Sequence, residues 1–117
     1  VFRDGEGLAR ARQTAESLRR RFRQTKVRDA SRVFNTDLMD ALETSHLLDF
    51  SEVIVAGALA RSESRGAHYR TDFPKRDDEA WLQHTLAFRQ GEGEPPRLEY
   101  RPVRINWEKY PPQERKY

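Results

Sequence analysis

A mainly α module ending in an extended tail with a short β-hairpin is what the 117-residue chain predicts, on three observations. All six prolines lie at or after Pro74, so a helix-permissive part precedes an extended part. Two long stretches before Pro74 repeat apolar residues at helical spacing. Charge is partitioned between those stretches. Residues 1–34 hold ten basic and four acidic groups, net +6; residues 35–60 hold five acids and no Lys or Arg, net −5. Residues 61–117 hold twelve basic and ten acidic groups, net +2. A basic element followed by an acidic one reads as two elements that attract. The expected organisation is a helical bundle region over 1–73 and an extended tail with hairpin over 74–117, in one domain unit.

The first helix is expected over about residues 6–24. Leu8, Ala11, Ala15, Leu18 and Phe22 step by 3, 4, 3 and 4, a single narrow apolar stripe that packs on one side only. The other faces carry Arg10, Arg12, Arg19, Arg20, Arg21 and Arg23, gathered toward the end, with Asp4 and Glu6 near the start, as the helix dipole favours. Residues 25–34 form a connector in which Asp29-Ala30-Ser31 offers turn chemistry.

Asn35 or Thr36 then caps a second helix, with Asp37 in its first turn. Residues 36–61 contain no Pro and one Gly, so they form either one rod or two helices broken near 45–49. Leu38, Met39, Leu42, Leu47, Leu48, Phe50, Val53, Ile54, Val55, Ala58 and Leu59 cover more than half its circumference. This is expected to be the most buried element, with neighbours on more than one side. The first helix alone cannot cover it. Gly66 is a candidate C′ residue for its end. Farther on, residues 82–89 and 97–104 flank a Gly- and Pro-rich turn, and Leu86, Phe88, Leu98, Tyr100 and Val103 make an exposed hairpin. The end, 110–117, reads as extended and clamped only by a partner.

Composition excludes several classes. Hydrophobic residues are 36% and charged residues 35%, and Val, Ile, Leu and Phe together number 24 of 117. That lies just above the roughly 20% below which chains stay disordered. A small core is possible, completed by a partner surface. No apolar run approaches the ~18 residues of a membrane span. Val1-Phe2-Arg3-Asp4 does not read as a secretory signal, and the missing initiator Met reads as an excised segment. The absence of cysteine removes disulfides, thiolate metal sites and thiol catalysis from this chain.

The densest polar constellation runs from Arg61 to Pro74 and holds Arg61, Glu63, Arg65, Gly66, His68, Arg70 and Asp72. Its bland reading is a helix C-cap with arginines on terminal carbonyls and carboxylates. A sharper reading makes Arg65 and Arg70 anion-binding forks with His68 as a proton carrier. A third is docking against another domain. His46, His68 and His84 are too scattered for a zinc site. Asp77-Asp78-Glu79 lacks the alternating oxygen ligands of a calcium loop and reads as a helix start. Gly91-Glu92-Gly93 is a turn and not a phosphate loop. The Arg-rich helix face could meet phosphate backbones, but the acidic helix offers an internal partner.

The stretch 35–86 resembles a known family. Asn35-Thr36-Asp37-Leu38, the long run from Ala58 through Arg61-Ser62-Glu63-Ser64-Arg65-Gly66-Ala67-His68-Tyr69-Arg70, then Asp72-Phe73-Pro74, Arg76-Asp77-Asp78 and Trp81-Leu82-Gln83-His84-Thr85-Leu86 carry it. They are similar to the C-terminal region of the succinate dehydrogenase/fumarate reductase flavoprotein subunit. Val1-Phe2-Arg3, Leu98-Glu99-Tyr100-Arg101-Pro102-Val103 and the Pro-Pro-x-x-Arg-x-Tyr ending extend the resemblance to nearly the whole chain. L-aspartate oxidase shares part of the central motif; the tail after Trp81 favours the dehydrogenase.

The resemblance implies an up-and-down, spectrin-repeat-like three-helix bundle whose first helix precedes Val1-Phe2-Arg3. It implies a parent that oxidises succinate to fumarate on FAD and passes electrons through an iron–sulfur subunit to quinone, as in respiratory complex II of the tricarboxylic acid cycle. The family's flavin-linked His and substrate-binding residues lie upstream, so no catalytic, cofactor or metal residue carries over, and this segment alone is expected to be inactive. Arg61, Glu63, Arg65, Gly66, His68, Arg70 and Asp72 take a structural or docking role. The expected partners are the flavin-binding domain of the same subunit, the iron–sulfur subunit and, indirectly, the membrane anchors. No nucleic acid is expected. The expected location is peripheral, on the cytoplasmic side of the inner membrane. An isolated chain is expected to expose an apolar groove and either self-associate or stay only marginally stable. The alternatives are the same domain in L-aspartate oxidase or another flavin-dependent relative, and a basic helical nucleic-acid-binding module.

Overall fold

The computed structural model describes residues 2–91, 93–106, 108–111 and 113. Its elements run α1 (Gly5–Phe22), α2 (Thr36–Ala60), α3 (Asp78–Trp81), β1 (Gln83–Phe88) and β2 (Arg97–Pro102). The fold is the mainly helical one expected, with one two-stranded antiparallel sheet. The expected ending over 110–117 lies largely outside the described residues.

α1 begins where the Asp4 side chain accepts from the Gly7 N–H. Arg19, Arg20 and Arg21 fill its last turn, opposite in sign to the carbonyl dipole there. Leu8 and Ala15 of the apolar stripe are buried, while Leu18 at the far end is partly open. The stripe is sealed at Leu8 and Ala15 and opens at Leu18, with Phe22 half-buried beyond it.

Asn35, and not Thr36, caps α2: its Oδ1 accepts from Leu38 N–H at 2.8 Å. The second stretch is one rod of 25 residues with no break near 45–49. α1 and α2 pack antiparallel. Asp72 ties the start of α1 to Arg70, which sits on the end of α2, and Arg19 near the end of α1 reaches Glu52 at 2.5 Å and Asp49. This is the attraction that the charge partition predicts. Each acid hydrogen-bonds the same guanidinium, which raises the Arg19 pKa and lowers that of Asp49.

One expectation is corrected. α2 is not the most buried element: only Ala58 on it is buried. Half-buried Ser45, Leu48, Glu52, Val55 and Leu59 recur at helical spacing on the side of the Arg19 contact. Met39, Leu42, His46, Phe50, Val53 and Ile54 recur on the opposite side and are exposed, Met39 by 58%, Phe50 by 64% and Ile54 by 61%. The reason is geometric. The narrow stripe of α1 matches one side of a helix that is apolar on two.

The hairpin pairs Gln83 with Pro102 through to Phe88 with Arg97. Trp81 and Tyr100 meet edge to face at 5.5 Å between ring centroids, which pins α3 to β2.

Candidate functional site

α2 ends at Ala60, and the backbone of Arg61 turns extended. Four carbonyls at a helix end lack intrahelical donors. Arg70 supplies them: its Nη1 donates to the carbonyls of Leu59 at 3.0 Å, Ala58 at 3.2 Å and Arg61 at 3.4 Å. Its Nε and Nη2 grip Asp72 bidentately at 2.8 and 2.5 Å. Arg70 is only 3% exposed, so its guanidinium is buried, while Asp72 grips it from the exposed side. The hydrogen bond from Arg70 holds the Asp72 carboxyl far below its usual range, and the Gly5 N–H at 2.9 Å adds to it.

Glu63 is fully buried. Burial by itself pushes its pKa up, but four hydrogen bonds reverse that and leave it lowered. Arg65 donates from Nε and Nη2 at 2.8 and 3.0 Å, Asp77 N–H at 2.8 Å and Arg61 Nη1 at 2.5 Å. Arg65 also reaches Asp78 at 2.7 Å. Arg61 also donates to the Trp81 and Gln83 carbonyls and the Thr85 hydroxyl, and lies 4.9 Å over the Trp81 ring. The helix end is thereby stapled to the start of the hairpin.

Gly66 is not the C′ residue of α2, which ended six residues earlier. It occupies the tight turn that pairs Arg65 with His68, with reciprocal backbone bonds at 2.8 and 3.0 Å. Its φ of +58 is the reason for a glycine there.

His68 Nδ1 faces Arg3 Nη1 at 3.3 Å and so accepts, which places the ring proton on Nε2. Nε2 is buried with no hydrogen-bond partner. Burial is the main force lowering its pKa; Arg3, Arg61 and Arg70 add repulsion, partly offset by the Arg61 carbonyl. A neutral imidazole among three guanidiniums is a poor proton carrier. The cavity beside it, about 330 Å3, is walled largely by Val53, Ile54, Ala58, Ala87 and Leu98. Arg3, Arg61, His68 and Thr85 supply its polar lining, and the Thr85 hydroxyl is already engaged by Arg61.

All seven singled-out residues thus fall at one junction, where the N-terminal segment, the end of α2, the 61–78 loop and the hairpin meet. Sequence reasoning missed Arg3, Gly5, Asp77 and Asp78. Arg3 and Gly5 are more than sixty residues from their partners, and no local pattern marks them. Asp78 stood in an acidic run read as a helix start, which it also is, since Asp77 caps α3.

The family model described as the fumarate reductase flavoprotein C-terminal region matches residues 1–117. The chain belongs to that family. It is 47% identical over its whole length to a fumarate reductase flavoprotein subunit of Mycobacterium tuberculosis, of which it covers 20%. It is 43% identical over 105 residues to a succinate dehydrogenase flavoprotein subunit of Rickettsia bellii, matching 90% of this chain and 17% of that one. Among solved structures, an E. coli quinol fumarate reductase superposes with a TM-score of 0.89 at 40% identity, over 97% of this chain and 19% of that one. The chain therefore spans about a fifth of the length of these relatives. It is a flavoprotein C-terminal domain of the succinate dehydrogenase/fumarate reductase type, and no helix among the described residues is long and apolar enough to cross a membrane.

Proposed function

We propose that this domain is a buttress in a succinate dehydrogenase or fumarate reductase flavoprotein subunit, joining surfaces and transforming no molecule itself. The parent carries FAD, oxidises succinate to fumarate or runs the reverse, and exchanges electrons with quinone through an iron–sulfur subunit. It sits peripherally on the cytoplasmic side of the inner membrane. The flavin-binding domain of the same subunit covers the open face of α2, and the hairpin and tail meet neighbouring domains or the iron–sulfur subunit. Residues 1–73 and 74–117 act as one unit, tied by Arg61.

The observation that carries this reading is a contrast. The charged cluster is satisfied within the chain, with Glu63 accepting four hydrogen bonds, whereas the apolar side of α2 is left open. A catalytic cluster keeps an acid, base or nucleophile available to substrate. Here the forks of Arg65 and Arg70 are both occupied by carboxylates of the chain itself, while the apolar side of α2 is left open.

The test is Arg65→Ala in the full-length subunit. The expected result is impaired folding or assembly with the iron–sulfur subunit, and normal turnover per correctly assembled enzyme. Normal assembly with a selective loss of turnover overturns the proposal and returns a catalytic role to the cluster.

A further inference from the structure

Among the described residues, Phe34 is the one non-glycine with positive φ, at +53. Bulky side chains rarely adopt that backbone. Phe34 is also 96% exposed, and Val33 beside it 71%. A strained backbone that points an aromatic ring into solvent gains nothing within the chain.

The conformation is nevertheless firmly held. Asn35 Nδ2 donates to the carbonyls of Asp29 at 2.8 Å and Ser31 at 2.9 Å, while its Oδ1 caps α2. Ser31 N–H in turn donates to the Asp29 side chain at 2.8 Å. The only acid of the 25–34 connector is thus occupied locally, and Lys26, Arg28 and Arg32 of the same connector stand exposed. Immediately after Phe34 come exposed Leu38, Met39 and Leu42, flanked by exposed Asp37, Asp40 and Glu43.

We infer that Phe34 is a pre-set anchor by which this domain docks on the rest of its own flavoprotein subunit, into an apolar socket rimmed by carboxylates. The inference rests on the buttress reading and names the contact that reading needs. A rigidly presented aromatic loses little entropy on insertion, the hallmark of an interface hot spot. The charges around it specify the partner. Cations at 26–32 and acids at 37–43 form a two-signed surface, so the receiving face carries carboxylates opposite the connector and cations opposite α2. That pattern sets the register of docking.

It also decides between occupants. An anionic bilayer or nucleic acid would attract Lys26, Arg28 and Arg32 but repel the acids one turn behind the ring. A two-signed patch can also meet its own copy about a two-fold axis, residue i on residue j, so a link to a second copy is one of the outcomes that overturn the inference. The relatives carry about four fifths of their length outside the matched segment, ample surface for a socket in the same polypeptide.

The experiment uses the full-length subunit that carries this chain, with a photo-crosslinking phenylalanine analogue at position 34 and, separately, at position 42. The expected result is an intramolecular link from 34 to an apolar segment rich in Asp and Glu outside these 117 residues. A link from 34 to a second copy, another subunit or lipid, or no link, overturns the inference. If 42 links to the subunit body and 34 does not, the anchor fails and the buttress stands; if neither links, both fail. As an independent readout, Phe34→Gly relieves the strained φ yet is expected to speed hydrogen exchange over residues 33–39 of the full-length subunit on the order of tenfold. Unchanged or slower exchange counts against the anchor.

Discussion

Glu63 and Arg65 meet fork to fork although they are two residues apart, Nε to Oε1 at 2.8 Å and Nη2 to Oε2 at 3.0 Å. Glu63 lies at a bend just before the Arg65–His68 bridge, and the two side chains meet on one side of the loop. Arg61 Nη1 donates to the same Oε1 that Arg65 Nε reaches. Glu63 is thus the single acceptor that holds two guanidiniums and the Asp77 amide.

Removing that acceptor leaves Arg61 partly buried without a carboxylate and Arg65 with Asp78 alone. Glu63→Ala is expected to destabilise the domain by about 3–5 kcal/mol. Arg76→Ala, which breaks an ion pair with the exposed Asp78, is expected to cost about 0–1 kcal/mol. Urea unfolding followed by tryptophan fluorescence in the full-length subunit separates the two.

Arg70→Lys keeps the charge and loses the fork. An ammonium cannot hold Asp72 bidentately and donate to three helix-end carbonyls together. A loss of about 2–3 kcal/mol is expected, with the amides nearest the end of α2 exchanging faster. Equal protection in both proteins would show that solvent serves those carbonyls as well.

Acid should loosen the junction in two steps. His68 has a folded pKa below the ordinary histidine value of about 6.5, so above that pH both states are neutral and its contribution is complete. Between that value and the lower folded pKa the unfolded chain binds the extra proton, and stability falls by up to about 1.4 kcal/mol per pH unit. Below the folded pKa the loss saturates. The second step belongs to Glu63, Asp72, Asp49 and Asp78, all lowered by arginine hydrogen bonds. Their contribution is present above the ordinary carboxylate range and disappears as pH falls through their folded values. His68→Gln should abolish the first step and keep the second, read as unfolding midpoint against pH.

Two glycines should respond oppositely to alanine. Gly66→Ala forces a side chain onto φ +58 and is expected to cost about 1–2 kcal/mol. Gly57 lies inside α2 with nothing within 4 Å of an added Cβ. Gly57→Ala is expected to stabilise the isolated chain by about 0.5–1 kcal/mol. Thermal unfolding monitored by circular dichroism gives both signs.

The open side of α2 predicts how the 117-residue chain behaves alone. It should associate with rising concentration in light scattering, and Met39→Glu with Phe50→Glu should return it to a monomer. A compact monomer at all concentrations would mean that the apolar side needs no cover.

Much of the helical frame was legible beforehand. The step pattern from Leu8 to Phe22 located α1, and the cap chemistry of Asn35 and Thr36 located the start of α2 within a residue. Both rest on interactions spanning at most four residues. Reading α2 as the most buried element failed because periodicity reports which faces are apolar and says nothing about whether a neighbour is there. Gly66 was misplaced for a related reason. A positive φ suits several turns, and only the Arg65–His68 pairing shows which one formed.

What the linear order of residues settled alone was local and electrostatic: two helices, a hairpin, and the mutual attraction of a basic and an acidic stretch. Those follow from periods of 3.6 and 2 and from the sign of charge. The tertiary structure decided which carboxylate each arginine holds. It also decided that Arg3 and Gly5 join a junction more than sixty residues away, and that one side of α2 stays open. Such contacts depend on where the chain returns in space, and no spacing along it encodes that return.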